Sequence, residues 1–209
     1  SIDMLPNLIE DWNANPVSSM CTVKCFPWND GGRVALLGDS AHAIVPFYGQ
    51  GMNCGFEDCS ILSELMDELP DGASEERWAS LLDEYSQVRK PAADAILDLA
   101  LHNYIVMRDK TGDKTYQLQK KIEARIAEAH PDKWKPLYSL VTFSHTTYDN
   151  ALKRGEMQQA VMNVVMSQSD IETTWESEEI IELAINTLEK YQADPNPLAR
   201  PKPLLSVDV

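Results

Sequence analysis

Residues 33–59 read RVALLGDSAHAIVPFYGQGMNCGFEDC, and their order decides the fold of this 209-residue chain. A short apolar run, Val34 to Leu37, has the composition of a strand. Gly38-Asp39 follows as an acidic turn, Pro46 sets a rigid loop edge, and Gly49-Gln50-Gly51-Met52-Asn53 leads into a helical pattern. The segment therefore puts a carboxylate at a strand end close to the N–H groups of a helix start. Asp39 is an acceptor suited to sugar-type hydroxyls. Gly49 and Gly51 carry no Cβ, so the backbone there can lie against a flat ligand. The helix start offers unpaired N–H groups and partial positive charge to an anion. The plainer alternatives are that Asp39 caps a turn and that Asn53 caps a helix.

GDSAHAIVPFYGQGMN resembles the second flavin fingerprint of the class A, FAD-dependent aromatic hydroxylases. The resemblance implies that Asp39 binds the ribityl chain of FAD. It also implies that Pro46, Gly49, Gln50, Gly51, Met52 and Asn53 lie along the isoalloxazine ring, with the helix N-terminus stabilising negative charge near N1 and the C2 carbonyl. AHAIVPFYGQGMNCGFEDC (41–59), YSQVRKPAADAI (85–96), LALHNYIVMRD (99–109) and KPLYSLVTFS (135–144) are similar to the branch of that family that hydroxylates kynurenine. On that resemblance Asn103 and Tyr138 contact the amino-acid carboxylate of the substrate, and Met107, Phe47 and Tyr48 line its pocket. Tyr48 departs from the branch, which often has Phe-His or Phe-Phe here. The implied reaction uses bound FAD, NADPH as co-substrate and O₂. It passes through a flavin C4a-hydroperoxide to hydroxylate L-kynurenine at ring position 3. No side chain of this chain is implied as a catalytic acid or base. The alternatives are a related hydroxylase of another aromatic acid, or a non-catalytic helical interaction module.

A dinucleotide-binding G-x-G-x-x-G does not occur in the chain, and Gly31-Gly32 is an isolated pair. The chain thus reads as the C-terminal portion of a longer enzyme. Its partner is then an N-terminal FAD-binding portion, which supplies the pyrophosphate loop and an arginine for the substrate carboxylate. The formal net charge of −15 argues against nucleic-acid binding. It also means that an anionic substrate needs local donors. Cys21, Cys25, Cys54 and Cys59 have no zinc-ligand spacing, and Cys21 and Cys25 are expected as buried thiols in a reducing compartment. Neither they nor His102, His130 and His145 form a metal set. There is no signal-peptide pattern and no apolar run long enough to span a bilayer. A cytoplasmic location is expected, with the mitochondrial outer membrane as the alternative if a C-terminal anchor has been removed.

The expected fold is α/β: the C-terminal part of a Rossmann-like FAD-binding domain over 1–97, then a mainly helical substrate-side region over 98–192 and an extended tail over 193–209. Strands are expected at 18–26 and 33–38. Helices are expected near 2–12, 52–69, 75–109 (kinked or split by Pro91), 115–129, 147–168 and 176–192. YSLVTFS (138–144) is apolar, β-branched and brief. His42 is expected to pack rather than to transfer protons, and Arg89 to pair with a carboxylate for structure.

Overall fold

A 35-residue helix, α4 (Glu75–Asp109), is the axis of the structure, a computed structural model in which residues 4–193 are described. Ahead of it come α1 (Leu8–Ala14), a hairpin of β1 (Asn29–Asp30) and β2 (Val34–Ala35), a short α2 (Asp39–His42), a 3₁₀ turn at Pro46–Tyr48, and α3 (Gly51–Asp67). After it come α5 (Lys114–Ala129), α6 (Leu137–Phe143), α7 (Tyr148–Met166), α8 (Ile171–Thr174) and α9 (Glu178–Ala193).

Helix α4 starts with Glu75 and Glu76 in its first turn, where carboxylates favour the positive helix end. Leu81, Leu82, Tyr85, Arg89, Ala92, Ala93, Ile96, Leu99 and Ala100 form its buried stripe at helical spacing. This stripe faces α3, the 3₁₀ turn and α7 and builds the first core, which also takes in Trp28, Leu140, Val141 and Tyr148. A second core joins α5, α7, α8 and α9 around Ile122, Ile126, Trp134, Met162 and Ile185. Each such large apolar side chain contributes about 1.5–3 kcal/mol on full burial. Asp113 caps α5 by accepting from the Tyr116 N–H at 2.7 Å.

Three expectations are corrected, and one segment left without an assignment is resolved. Residues 18–26 form no strand; they run as an irregular segment tied by the Val23 N–H to the Ala43 carbonyl at 3.0 Å and by the Trp28 indole N–H to the Cys25 carbonyl at 2.9 Å. Cys21 there is exposed and Cys25 half-buried, because the segment lies on the core rather than inside it. Pro91 does not split α4. Pro91 and Gln87, whose carbonyl loses its partner, both face solvent, so water can satisfy that carbonyl while the buried stripe holds the helix on either side. Residues 138–144 belong mostly to helix α6, whose Leu140 and Val141 are buried against the first core. Packing overrides β-branched propensity there.

The sheet among the described residues is a two-stranded antiparallel hairpin, pairing Asn29 with Ala35 and Asp30 with Val34. The chain is thus mainly helical over these residues, and a parallel Rossmann-like sheet is not among them. Helix α1 has no buried residue. The tail expected over 193–209 lies outside the described residues apart from Ala193, which ends α9. No helix among the described residues is long and apolar enough to cross a membrane.

Candidate functional site

The hairpin, α2 and the N-terminus of α3 are assembled on the first half of α4. Gly32 sits so close to α4 that a Cβ there would lie 2.4 Å from the Glu75 carbonyl oxygen. Ser86 and Asp83 of α4 hold the hairpin, accepting from the Trp28 backbone N–H at 3.0 Å and the Asn29 side chain at 2.8 Å. β2 then delivers the chain to Gly38, whose φ of 55° and ψ of −137° suit only glycine. Asp39 follows as the first residue of α2, with its side chain exposed.

The loop from Pro46 to Asn53 presents open backbone and ties the side chains of Tyr48 and Gln50 inward. Gly49 takes the left-handed conformation that closes the 3₁₀ turn. A Cβ at Gly49 or Gly51 would meet nothing within 4 Å, so the space over this backbone is open. Pro46, Gly49, Met52 and Asn53 are exposed. Gln50 is buried, and its amide is a strut. Its Oε1 accepts from Asn53 Nδ2 at 3.0 Å and from the Tyr148 hydroxyl at 3.2 Å, and its Nε2 donates to the Tyr48 carbonyl at 3.3 Å. Gln50 also occupies the cap position of α3, one turn before Asn53. Gly51, Met52 and Asn53 therefore begin α3 with N–H groups that have no acceptor within the helix. An open space, a glycine-flanked backbone and a positive helix end fit a flat ligand with negative charge on one edge.

Beneath this surface lies a buried ionic cluster centred on Asp58. Its Oδ1 accepts from Arg89 Nε at 2.8 Å. Its Oδ2 accepts from the Gly38 N–H at 2.9 Å and pairs with His42 Nε2 at 2.5 Å. Arg89 also reaches Glu57 at 2.8 Å. Burial works against the charge on His42, but the Asp58 hydrogen bond and Cys54 outweigh it and hold the imidazole up at about 10. Burial likewise opposes the Asp58 carboxylate, and the bonds from His42, Arg89 and Gly38 outweigh it and lower its pKa. His42, Cys54 and Asp58 have metal-ligand chemistry and lie together. Yet Arg89 Nε and the Gly38 N–H already engage both oxygens of the Asp58 carboxylate, and His42 Nε2 pairs with it as well. The cluster is a cross-brace joining α2, α3 and α4, as expected for Arg89 and for His42 as a packing residue. Asp58 went unremarked in the sequence, although it stands inside the FEDC run of residues 56–59.

Behind the loop is a cavity of about 650 Å³ between α4, α5, α6 and α7. Tyr48, Asn103 and Tyr138 all line it, three positions spread over 91 residues of sequence. Tyr48 is buried and stacks on Tyr138 at a centroid distance of 5.8 Å. Burial, with Tyr116 and Tyr138 nearby, pushes the Tyr48 phenol up to about 12, so it stays a neutral donor. Asn103 donates to the Phe47 carbonyl at 2.7 Å, which fixes the 3₁₀ turn on α4. Phe47 packs on Tyr104 at 4.6 Å. Neither Phe47 nor Met107 lines the cavity, and Met107 is exposed with its sulfur 3.7 Å from the Asn103 amide. The far side of the cavity is made by Lys110, Tyr116, Gln119, Lys120 and Gln158, among others. These residues sit on α5, on α7 and at the C-cap of α4, with no sequence signal linking them.

The sequence profile of the FAD binding domain family matches residues 12–100. The chain is 49% identical over 188 residues to a kynurenine 3-monooxygenase of Christiangramia forsetii, covering 90% of this chain and 41% of that protein. It is 48% identical over 180 residues to one of Flavobacterium psychrophilum, covering 86% and 39%. Against one of Anopheles gambiae it is 38% identical over 164 residues, covering 78% and 33%. The chain thus spans about two-fifths of the length of the first two relatives.

Proposed function

From a chain that resembles the class A flavin hydroxylases over most of its length, we propose that it forms part of an FAD- and NADPH-dependent monooxygenase hydroxylating L-kynurenine at ring position 3. The observation that carries this reading is the meeting of Tyr48, Asn103 and Tyr138 at one cavity directly behind the glycine-flanked loop. The loop and α3 N-terminus suit the flavin edge, and exposed Asp39 is free to accept from its ribityl hydroxyls. FAD, when bound and reduced by NADPH, supplies the activation of O₂. The protein's own share is to orient the aromatic ring and to keep water out. Asn103, expected to donate to the substrate carboxylate, instead gives its amide N–H groups to the Phe47 carbonyl and the Met107 sulfur. This leaves its side-chain carbonyl as an acceptor for a substrate amine, while the Tyr138 hydroxyl is a donor for a carboxylate. The pyrophosphate loop and a carboxylate-binding arginine are proposed to come from the rest of the protein.

The test is NADPH oxidation by the full-length protein with and without L-kynurenine, with 3-hydroxykynurenine quantified. Kynurenine-stimulated oxidation with matching product is expected. Bound flavin with no response to kynurenine would move the reading to another aromatic acid, a case that Tyr48, in place of the branch's usual residue, makes worth testing.

A further inference from the structure

The cavity is lined by two unlike groups of side chains. Tyr48 and Tyr138 form a stacked aromatic part beside the loop, and Lys110 and Lys120 line the part where α4 stops and α5 passes, Lys120 lying 5.3 Å over the ring of Tyr116. Glu123 also lines this part and pairs with Lys120 at 2.7 Å, so two ammonium groups face one carboxylate. Lys110 and Lys120 both act on His102 in the same wall; burial first, and then these two charges, lower its pKa and keep it neutral. The cationic part is thus surplus-positive in a chain of net charge −15. An anion approaching such a chain is repelled everywhere except at a local cationic patch. A cavity of about 650 Å³ is also larger than a single substituted benzene ring requires.

We propose that Lys110 and Lys120 form an electrostatic mouth that captures the carboxylate of an aromatic acid on entry and hands it on to the Tyr138 hydroxyl beside Tyr48. This rests on the substrate reading above and adds the residues that admit the substrate. Lys110 is the stronger member, because Glu123 already engages Lys120. The contact is one of capture, so it acts on binding and leaves the bound geometry at the ring unchanged.

The test uses the full-length holoprotein. Lys110→Glu, alone and with Lys120→Glu, is compared with Lys153→Glu, which makes the same charge change on α7 away from the cavity. KM for L-kynurenine is measured at low and high salt. Lys110→Glu is expected to raise KM roughly threefold or more at low salt with kcat retained, and the gap is expected to close at high salt. The double variant is expected to do more, and Lys153→Glu to do nothing. An unchanged KM, a gap indifferent to salt, or an equal effect from Lys153→Glu would overturn the proposal. Calorimetric binding of benzoate against benzyl alcohol decides the mouth separately from the substrate's identity. A preference for benzoate that disappears in the double variant supports it even if kynurenine is not the substrate. Equal binding of the two probes by the unmodified protein overturns it.

Discussion

Asp39 and His42 lie three residues apart on α2 and have opposite jobs. Asp39 faces solvent, so its removal costs the fold little. We expect Asp39→Ala in the full-length protein to lower flavin retention at least tenfold, with unfolding midpoints held within about 0.5 kcal/mol. Unchanged flavin content on gel filtration would refute the ribityl role. His42 is buried and keeps its proton up to about 10, where an unfolded histidine releases it near 6.5. The folded state therefore holds one more proton between those values. The His42 contribution is complete below pH 6.5 and is lost as pH rises toward 10. Asp58 runs the other way: its contribution is present above the ordinary carboxylate value of 3.8 and is lost as pH falls through its lowered folded value. We expect stability, from urea unfolding at pH 6, 8 and 9.5, to fall steadily across the series. His42→Gln should lower stability at pH 6 and flatten the slope; an equal slope in both proteins would show that His42 is not the proton holder.

At the scale of elements, the docking of the hairpin on α4 is decided by Gly32. A Cβ there would lie 2.4 Å from the Glu75 carbonyl oxygen and 2.9 Å from the Ala79 nitrogen, both backbone atoms of a helix that cannot give way. Gly155 offers the contrast. Its added Cβ would lie 2.7 Å from a Leu137 methyl, the far end of a side chain that can turn. Replacing glycine within α7 by alanine also gains about 1 kcal/mol of helix propensity. We expect Gly32→Ala to cost about 2 kcal/mol or more and Gly155→Ala to stay within about 1 kcal/mol of wild type, measured by chemical denaturation. Similar effects at both positions would mean that the hairpin is not seated on α4. Neither close approach can be read from sequence, where Gly32 is the second of a glycine pair before Arg33 and Gly155 a glycine between Arg154 and Glu156. What could be read was local: the acidic turn at Gly38-Asp39, the glycine-flanked entry to α3, and the long apolar period of α4. Residues 18–26 misled because β-branched composition reports a surface that suits a strand, and no partner strand lies beside them among the described residues. Tyr48, Asn103 and Tyr138 were reached through resemblance, while Lys110, Gln119 and Gln158 complete their cavity only after α4, α5 and α7 have packed.

Across the whole molecule, apolar surface is unevenly distributed. The two cores are closed around α4 and α7, whereas the N-terminal segment holds its large side chains in solvent. Ile9 and Trp12 of α1 are 77% and 80% exposed, and Met4, Leu5, Val17 and Met20 are exposed beside them. A run of this kind is larger than isolated exposed hydrophobics and suits a surface that another body covers. In a protein of the relatives' length, about three-fifths of the chain would lie outside the residues matched here, enough to supply the FAD-binding portion proposed above. That portion, packed on α1 and on the outer edges of the hairpin, would cover the apolar stripe and give the two short strands neighbours. Trp12 then separates the cases. If it is covered in the full-length protein, Trp12→Ser should cost about 2–3 kcal/mol, the transfer term for a large side chain. If it stays in solvent, the change should fall within about 0.5 kcal/mol. We expect the larger value from urea unfolding of the full-length protein, together with a blue-shifted Trp12 emission that is missing from the variant; a small change with no spectral difference would leave α1 as a free surface helix.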